Sequence, residues 1–258
     1  MGRRTVVGRC ERTMSSYQEF AHIYDELMND IPYDAYVELL DLASAGISGK
    51  KVLDIGCGTG LLSAMLAKKG AQVTAIDLSA DMLEVAAKRA KSLGLSIDFK
   101  DQPMQQLSVD GTYEVAVISI DSLNYVLDRQ DVEETFRRVY NALERNGVLL
   151  FDVHSLFKMD EIFLEGPFVF DNQRITYIWQ TEPGEEEHSI YSELAFFVSQ
   201  EDGSYKRFDE IHTQRSFAVT DYVDMLDQAG FQIERIFADW EDEPPEEESE
   251  RIFFQVRK

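Results

Sequence analysis

The sequence predicts an α/β fold, a doubly wound sheet of mainly parallel strands with an inserted antiparallel β cap, and three observations carry that expectation. Between Lys51 and Val153, short apolar runs alternate with stretches of helical periodicity, the pattern of strands joined by right-handed crossovers. Between Ile175 and Phe217, three β-rich runs follow one another across Pro183-Gly184 and Asp202-Gly203, which predicts antiparallel pairing. A Gly-rich turn, Asp54-Ile55-Gly56-Cys57-Gly58-Thr59-Gly60, joins the first strand to the first crossover helix, where open α/β sheets hold ligands.

Residues 1–13 show no apolar periodicity and are expected to be a disordered tail ahead of Met14. They are basic but lack the apolar segment of a secretory signal. From Ser16, the residues Tyr17, Phe20, Ala21, Tyr24 and Leu27 recur at helical spacing, with Ser16 as N-cap and Glu19 as its capping-box partner. A second helix follows Pro32 and stops near Gly46. Strands are then expected at 51–55, 72–76, 96–100, 113–120 and 148–153, and helices at 61–69, 80–93 and 131–144. The insertion contributes strands at 175–180, 190–199 and 205–217. A helix over 220–228, capped by Thr220 and stopped by Gly230, leads back to strands at 231–238 and 252–256. The expected organisation is a tail of 1–13, a main domain of 14–155 and 218–258 with an N-terminal helical lid, and a cap of 156–217.

Composition bounds the partners. With 48 acidic against 25 basic residues the formal net charge is −23, which repels phosphate backbones and argues against a nucleic-acid substrate. No apolar run is long enough to span a bilayer. The two cysteines, Cys10 and Cys57, give no disulfide framework, and a cytoplasmic setting is expected. Four scattered histidines and no cysteine cluster provide no metal-ligand spacing. A monomer or homodimer is expected, and no exposed apolar stripe demands a dimer.

The Gly-rich turn carries the first chemistry. Its spacing is Gly-x-Gly-x-Gly, with Leu61 where a dinucleotide fingerprint would place a further glycine region. Asp54 precedes the glycines. An anion beside a bound pyrophosphate is unfavourable, whereas it suits an ammonium or a sulfonium. Asp77 ends the second strand, where a carboxylate accepts both hydroxyls of an adenosine ribose. Together these residues describe a site for a cationic adenosyl ligand and disfavour a nicotinamide-dependent oxidoreductase.

Val52-Leu53-Asp54-Ile55-Gly56-Cys57-Gly58-Thr59-Gly60 with Asp77-Leu78-Ser79 resembles the class I S-adenosylmethionine-dependent methyltransferases, from about Tyr17 to the C-terminus. The resemblance implies a seven-stranded Rossmann-like sheet with an antiparallel last strand, and S-adenosyl-L-methionine as co-substrate, leaving as S-adenosyl-L-homocysteine. It implies that Gly56 and Gly58 pass the methionine part, with Cys57 and Gly60 completing the turn. It further implies that Asp77 holds the ribose and Leu78 packs on adenine. Phe20-Ala21-x-x-Tyr24-Asp25 resembles the helix that closes over the cofactor in small-molecule members, which makes Tyr24 a contact candidate. The family often has an Asp-Met pair after its third strand; here Pro103 precedes Met104. Either Asp101 supplies the missing carboxylate, or backbone groups of Gln102–Met104 read the adenine.

The segment after the fourth strand, Ser119-Ile120-Asp121-Ser122-Leu123-Asn124-Tyr125, lies near the sheet's switch point. Ser119 or Ile120 is expected beside the cofactor, with Asp121 and Asn124 on the substrate side or capping turns. It lacks the Asn/Asp-Pro-Pro-Tyr pattern used on planar nitrogens of adenine or glutamine. His154 ends the fifth strand on the same edge, and alternation places Glu210, His212 and Gln214 on one face of the insertion. His154 and His212 are therefore further substrate-side candidates. In-line methyl transfer requires alignment and desolvation, and a general base only where the nucleophile must first lose a proton. The expected activity is methyl transfer to a small molecule. Alternatives are a non-catalytic S-adenosylmethionine-binding regulatory protein and an aminopropyl-type transferase on the same fold.

Overall fold

The computed structural model describes Leu27 and residues 31–258. The expected tail of 1–13, the helix from Ser16 and the candidate Tyr24 lie outside the described residues. Helix α1 covers Tyr33–Ala43, and β1 (Lys51–Ile55), α2 (Leu61–Lys68), β2 (Gln72–Asp77), α3 (Ala80–Ser92), β3 (Asp98–Asp101) and β4 (Tyr113–Ile118) follow. Then come α4 (Arg129–Ala142), β5 (Leu143–His154) and α5 (Leu156–Asp160). Strands β6 (Phe168–Asp171), β7 (Ile175–Pro183), β8 (Ser189–Ser199) and β9 (Tyr205–Arg215) form a second sheet. Helix α6 (Val219–Ala229), β10 (Gln232–Ala238) and β11 (Arg251–Arg257) complete the chain.

The main sheet has seven strands in the order β3-β2-β1-β4-β5-β11-β10. β1 pairs in parallel with both β2 and β4, so the winding reverses between β1 and β4. β11 runs antiparallel to both β5 and β10, which gives the expected antiparallel last strand. Side chains alternate between two apolar layers, as strand geometry requires. Leu53, Ala116, Leu149, Phe151 and Phe254 pack with α4 and α6 through Phe136, Val139, Tyr222 and Leu226. Val52, Val73, Val117, Leu150 and Phe253 pack on the other side with Tyr36, Val37 and Leu40 of α1 and Leu62 and Leu66 of α2. Phe151 and Phe254 stack across β5 and β11 at 4.7 Å.

Among the differences from the sequence expectation, four have a local physical reason. The cap has a fourth strand, β6, whose four residues are too few to show a period. β4 ends at Ile118, because Ile120 and Asp121 adopt positive φ and leave the sheet. α4 ends at Ala142 and β5 begins at once at Leu143, with no loop for a glycine to mark. Thr220 does not cap α6; Ala218 holds the N-cap position without a side-chain bond and Thr220 lies inside the helix.

The cap leaves and rejoins the main chain at one point. Ser155 caps α5, accepting from the Lys158 N–H at 3.0 Å. Ser216, fully buried, donates to the His154 carbonyl at 2.5 Å. The apolar face of the cap, with Ile175, Phe196 and Phe208, packs on Met82 and Val85 of α3, joined by Leu27. The cap also bonds at the carboxyl end of β5, through Ser216 and His154, and just beyond β4, through Gln214 and Asp121.

Candidate functional site

The three glycines after β1 have φ of 74°, 52° and 70° at Gly56, Gly58 and Gly60, a region that costs a residue with a Cβ about 1–2 kcal/mol. A Cβ on Gly60 would lie 2.7 Å from Ala86 Cβ, and one on Gly56 2.7 Å from Ser122 Cβ. Those two glycines are demanded by packing against α3 and against the segment after β4. A Cβ on Gly58 would meet nothing within 4 Å among the described residues, so the turn opens away from them there. The Gly58 N–H donates to Asp77 Oδ2 and the Ser79 N–H to Oδ1, both at 2.8 Å. Arg89 of α3 fixes the turn from below through the Thr59 carbonyl at 3.0 Å.

Asp54 has no exposed surface. Ser63 of α2 donates to its Oδ2, whereas Oδ1 has no partner among the described residues. Burial pushes its carboxyl up to about 6 against the Ser63 bond, and the Asp77 charge adds to the rise. A buried carboxylate with an unmet oxygen is stabilised by an arriving cation or donor. The site therefore fits a ligand bearing an ammonium and a sulfonium. Burial also raises Asp77, while the N–H groups of Ser79 and Gly58 pull it back. The Cys57 thiol is pushed well above its usual value by burial, with Asp54 and Asp77 adding to it.

Leu78, 71% exposed, offers an apolar surface next to Asp77. The Met104 methyl lies 3.6 Å from where a Gly56 Cβ would stand, which brings β3's far end to the turn. Asp101 is the register partner of Asp77 and is exposed. The Gln102 N–H donates to the Asp77 carbonyl at 3.0 Å. The Gln102 side-chain amide is tied at both ends to the Ser108 backbone, at 3.3 and 2.9 Å. Asp54, Gly56, Cys57, Gly58, Gly60, Asp77, Leu78, Asp101, Gln102 and Met104 thus converge on one edge.

Beyond β4 the backbone is strained. Ile120 and Asp121, with φ of 56° and 51°, are consecutive left-handed residues other than glycine, each costing about 1–3 kcal/mol unless the surroundings hold it. Asp152 holds both: Oδ1 accepts the Ile120 N–H at 2.8 Å and Oδ2 the Asp121 N–H at 3.0 Å. Tyr36 of α1 donates to Oδ1 at 2.5 Å. Arg251 pairs with Asp152 Oδ2 and reaches Asp121 Oδ1 at 2.9 Å. Gln214 of β9 donates to Asp121 Oδ2 at 2.9 Å, and His154 Nε2 lies 3.4 Å from the same oxygen. Burial alone would raise the Asp121 carboxyl; His154 and Arg251 outweigh it and hold the group well below the usual carboxylate range. Burial opposes the Arg251 charge, but Asp152 and Asp121 keep it firmly protonated.

This network engages three of the four substrate-side candidates. Asp121 carries Arg251, Gln214 and His154. Asn124, fully buried, donates to the Arg215 carbonyl at 2.8 Å and accepts the His154 N–H at 3.0 Å, so it joins cap to sheet. His154 is 5% exposed, with its ring edge-on to Phe163. His212 is the fourth: its Nδ1 lies 3.4 Å from the Tyr125 hydroxyl and the rings meet edge to face at 5.8 Å. Ser119 is buried, and its carbonyl accepts from the Ser122 hydroxyl at 2.7 Å; that hydroxyl also lies 3.2 Å from the Gly56 carbonyl. Sequence reasoning missed Tyr36, Ser63, Ser122, Asp152 and Arg251. Only Asp152 left a signal, a charge inside the apolar run Val148–Val153. No group of three or more His, Cys, Asp or Glu among the described residues is arranged to hold a metal.

Comparison with known proteins agrees with this geometry. Residues 52–147 match the methyltransferase domain family. The chain is 44% identical over 246 residues to the methyltransferase-family protein GWCH70_2453 of Geobacillus sp. (strain WCH70), covering 94% of this chain and 100% of that one. A crystal structure of an S-adenosylmethionine-dependent methyltransferase from Clostridium acetobutylicum superposes with a TM-score of 0.84 at 30% identity, covering 93% and 98% of the two chains. The fold also matches CalS10, an amino pentose methyltransferase from Micromonospora echinaspora solved with S-adenosylmethionine bound, with a TM-score of 0.67 at 14% identity over 98% and 100% of the chains. With its open Gly58 turn, its cation-seeking Asp54 and this kinship, the chain belongs to the class I S-adenosylmethionine-dependent methyltransferases.

Proposed function

We propose that this enzyme methylates a small molecule held between the cap and the carboxyl ends of β1, β4 and β5. The observation that carries this reading is the pairing of Asp54, buried with one unmet oxygen, with a cap sheet docked across the same edge through Gln214 and Asp121. The amino pentose methyltransferase of similar fold supports a small-molecule acceptor. S-Adenosylmethionine supplies a methyl group already activated by its sulfonium. In this reading Asp54 and the backbone around Gly56 and Gly58 hold its amino acid part, Asp77 its ribose, and Leu78 and Met104 flank its adenine. Asp101 or the backbone of Gln102–Met104 reads the adenine edge. The buried Asp152–Arg251 pair sets the strained loop of Ile120 and Asp121 and so fixes the wall of the acceptor space.

The reading includes a main domain of 14–155 and 218–258 with a cap of 156–217, supported by the Ser216 bond to His154 where the insertion begins and ends. A cytoplasmic setting is supported by Cys57, a free thiol in the turn. Calorimetry with S-adenosylhomocysteine tests the cofactor arrangement. Asp77→Ala is expected to weaken binding by about 1–3 kcal/mol, the scale of a lost charged hydrogen-bond partner. Unchanged affinity would remove Asp77 from the ribose.

A further inference from the structure

A cavity of about 230 Å³ lies where the cap leaves the sheet and rejoins it. Leu156 and Phe157 of α5 line it from the outgoing segment, and Phe217 and Val219 from the returning one. Tyr222 of α6 and Ile252 of β11 complete its apolar wall. Glu246 and Glu247, both exposed, stand at its rim. None of its lining residues belongs to the Gly-rich turn or to the strand end that carries Asp77, so it is separate from the cofactor edge. An apolar cavity of about 150 Å³ is enough to admit benzene, so this one holds a substituted ring.

His154 also lines the cavity, at the point where β5 ends. Polar groups around it are already engaged. The Ser155 hydroxyl accepts from the Lys158 N–H at 3.0 Å, and the Tyr222 hydroxyl lies 3.5 Å from that of Ser216. The His154 backbone N–H donates to Asn124 and its carbonyl accepts from Ser216. His154 Nδ1 is the exception: it is buried and has no hydrogen-bond partner among the described residues. Its Nε2 lies 3.4 Å from Asp121 Oδ2. A carboxylate only accepts, so Nε2 carries the proton of the neutral ring and Nδ1 is left as a bare acceptor. A buried acceptor of this kind is costly unless a donor reaches it.

We propose that this cavity is a second small-molecule site, taking a neutral, ring-sized molecule that carries one O–H or N–H donor, with the donor on His154 Nδ1 and the ring against Phe157, Phe217 and Tyr222. The carboxylates of Glu246 and Glu247 at the rim disfavour an anion. The occupant touches both segments that join the cap to the sheet. Through His154 it also bears on Asp121, in the loop after β4. The site thus serves to control the cap rather than to carry out methyl transfer, and it does not depend on the cofactor arrangement.

The test uses the full chain and three probes of one size: phenol, toluene and benzoate. Calorimetry is expected to show saturable one-to-one binding of phenol. Toluene, which has no donor, should bind about two- to tenfold more weakly, the scale of one neutral hydrogen bond, and benzoate more weakly still. Phenol should also raise the midpoint of thermal unfolding, because it binds the folded chain alone. Val219→Trp, which fills the cavity, should abolish phenol binding while S-adenosylhomocysteine binds as before. His154→Phe should bring phenol down to the affinity of toluene. Thermal unfolding without ligand reports whether each variant is folded, and the comparison of phenol with toluene on the native chain needs neither. No phenol binding, equal affinity for phenol and toluene, a preference for benzoate, or phenol binding undiminished in folded Val219→Trp would each overturn the proposal. Transfer of a labelled methyl group from S-adenosylmethionine to phenol, lost in Val219→Trp, would make the cavity the acceptor space and overturn its assignment as a second site.

Discussion

Asp54 couples the site to pH with a defined sign. Its carboxyl, ordinarily at 3.8, sits at about 6 in the fold, so the folded state holds a proton that the unfolded chain has released. Stability without ligand is greatest below the unfolded value and falls as pH rises through the folded one, by about 3 kcal/mol in all. Asp54→Asn should therefore stabilise the ligand-free protein at neutral pH and flatten its stability between about pH 4 and 7, measured by urea denaturation. The same variant should lose affinity for S-adenosylhomocysteine, because the carboxylate no longer meets the ammonium. Lower stability with unaltered affinity would show Asp54 to be structural only. Arg251 behaves oppositely. Arg251→Met leaves Asp121 and Asp152 buried without their cation and is expected to cost about 3–5 kcal/mol, read from the same denaturation curves.

Among the elements, the Gly-rich turn separates packing from ligand access. Gly60→Ala drives a Cβ into Ala86 and should destabilise the fold by about 1–3 kcal/mol. Gly58→Ala meets no neighbour among the described residues and should cost only the backbone term of about 1–2 kcal/mol, yet weaken S-adenosylhomocysteine binding. Thermal unfolding and calorimetry on the two variants distinguish these outcomes; equal binding loss in both would mean that the turn simply deforms. The helices and strands themselves were legible because their periods repeat. β2, α2, α3 and β8 lie within one or two residues of expectation. β6 was not legible, since four residues flanking a turn carry no period and depend on β7 for pairing. Thr220 misled because a hydroxyl near a helix start is a cap only if the chain bends there, and here it bends at Ala218.

Across the whole molecule, charge and cap act together. A net charge of −23 favours the approach of a cationic co-substrate. Raising ionic strength from about 0.05 to 0.5 M should slow S-adenosylmethionine association several-fold while dissociation changes little, as stopped-flow binding would record. A salt-independent association rate would assign the acidic surface to solubility alone. The cap is held to the sheet by Asn124, Gln214 and Ser216 rather than by a broad apolar interface at that end. The partners in that hinge of buried polar bonds were not legible beforehand, since each group binds one that lies far along the chain.

The Gly-rich edge of this protein was written in local sequence. Asp54, the three glycines and Asp77 lie close along the chain, and one strand–turn–helix–strand unit brings them together whatever the rest of the molecule does. The acceptor half was decided only by tertiary structure. Asp121, Asn124 and His154 are substrate-side candidates from their strand-end positions alone, and what the fold adds is that Arg251, more than 90 residues away in sequence from each, draws Asp121 and Asp152 into a buried ion network. Backbone pairing between β5 and β11 sets Arg251 opposite His154, and no local period encodes that register. The same folding carries His212 to Tyr125, because long-range pairing, rather than sequence spacing, determines which polar groups come together.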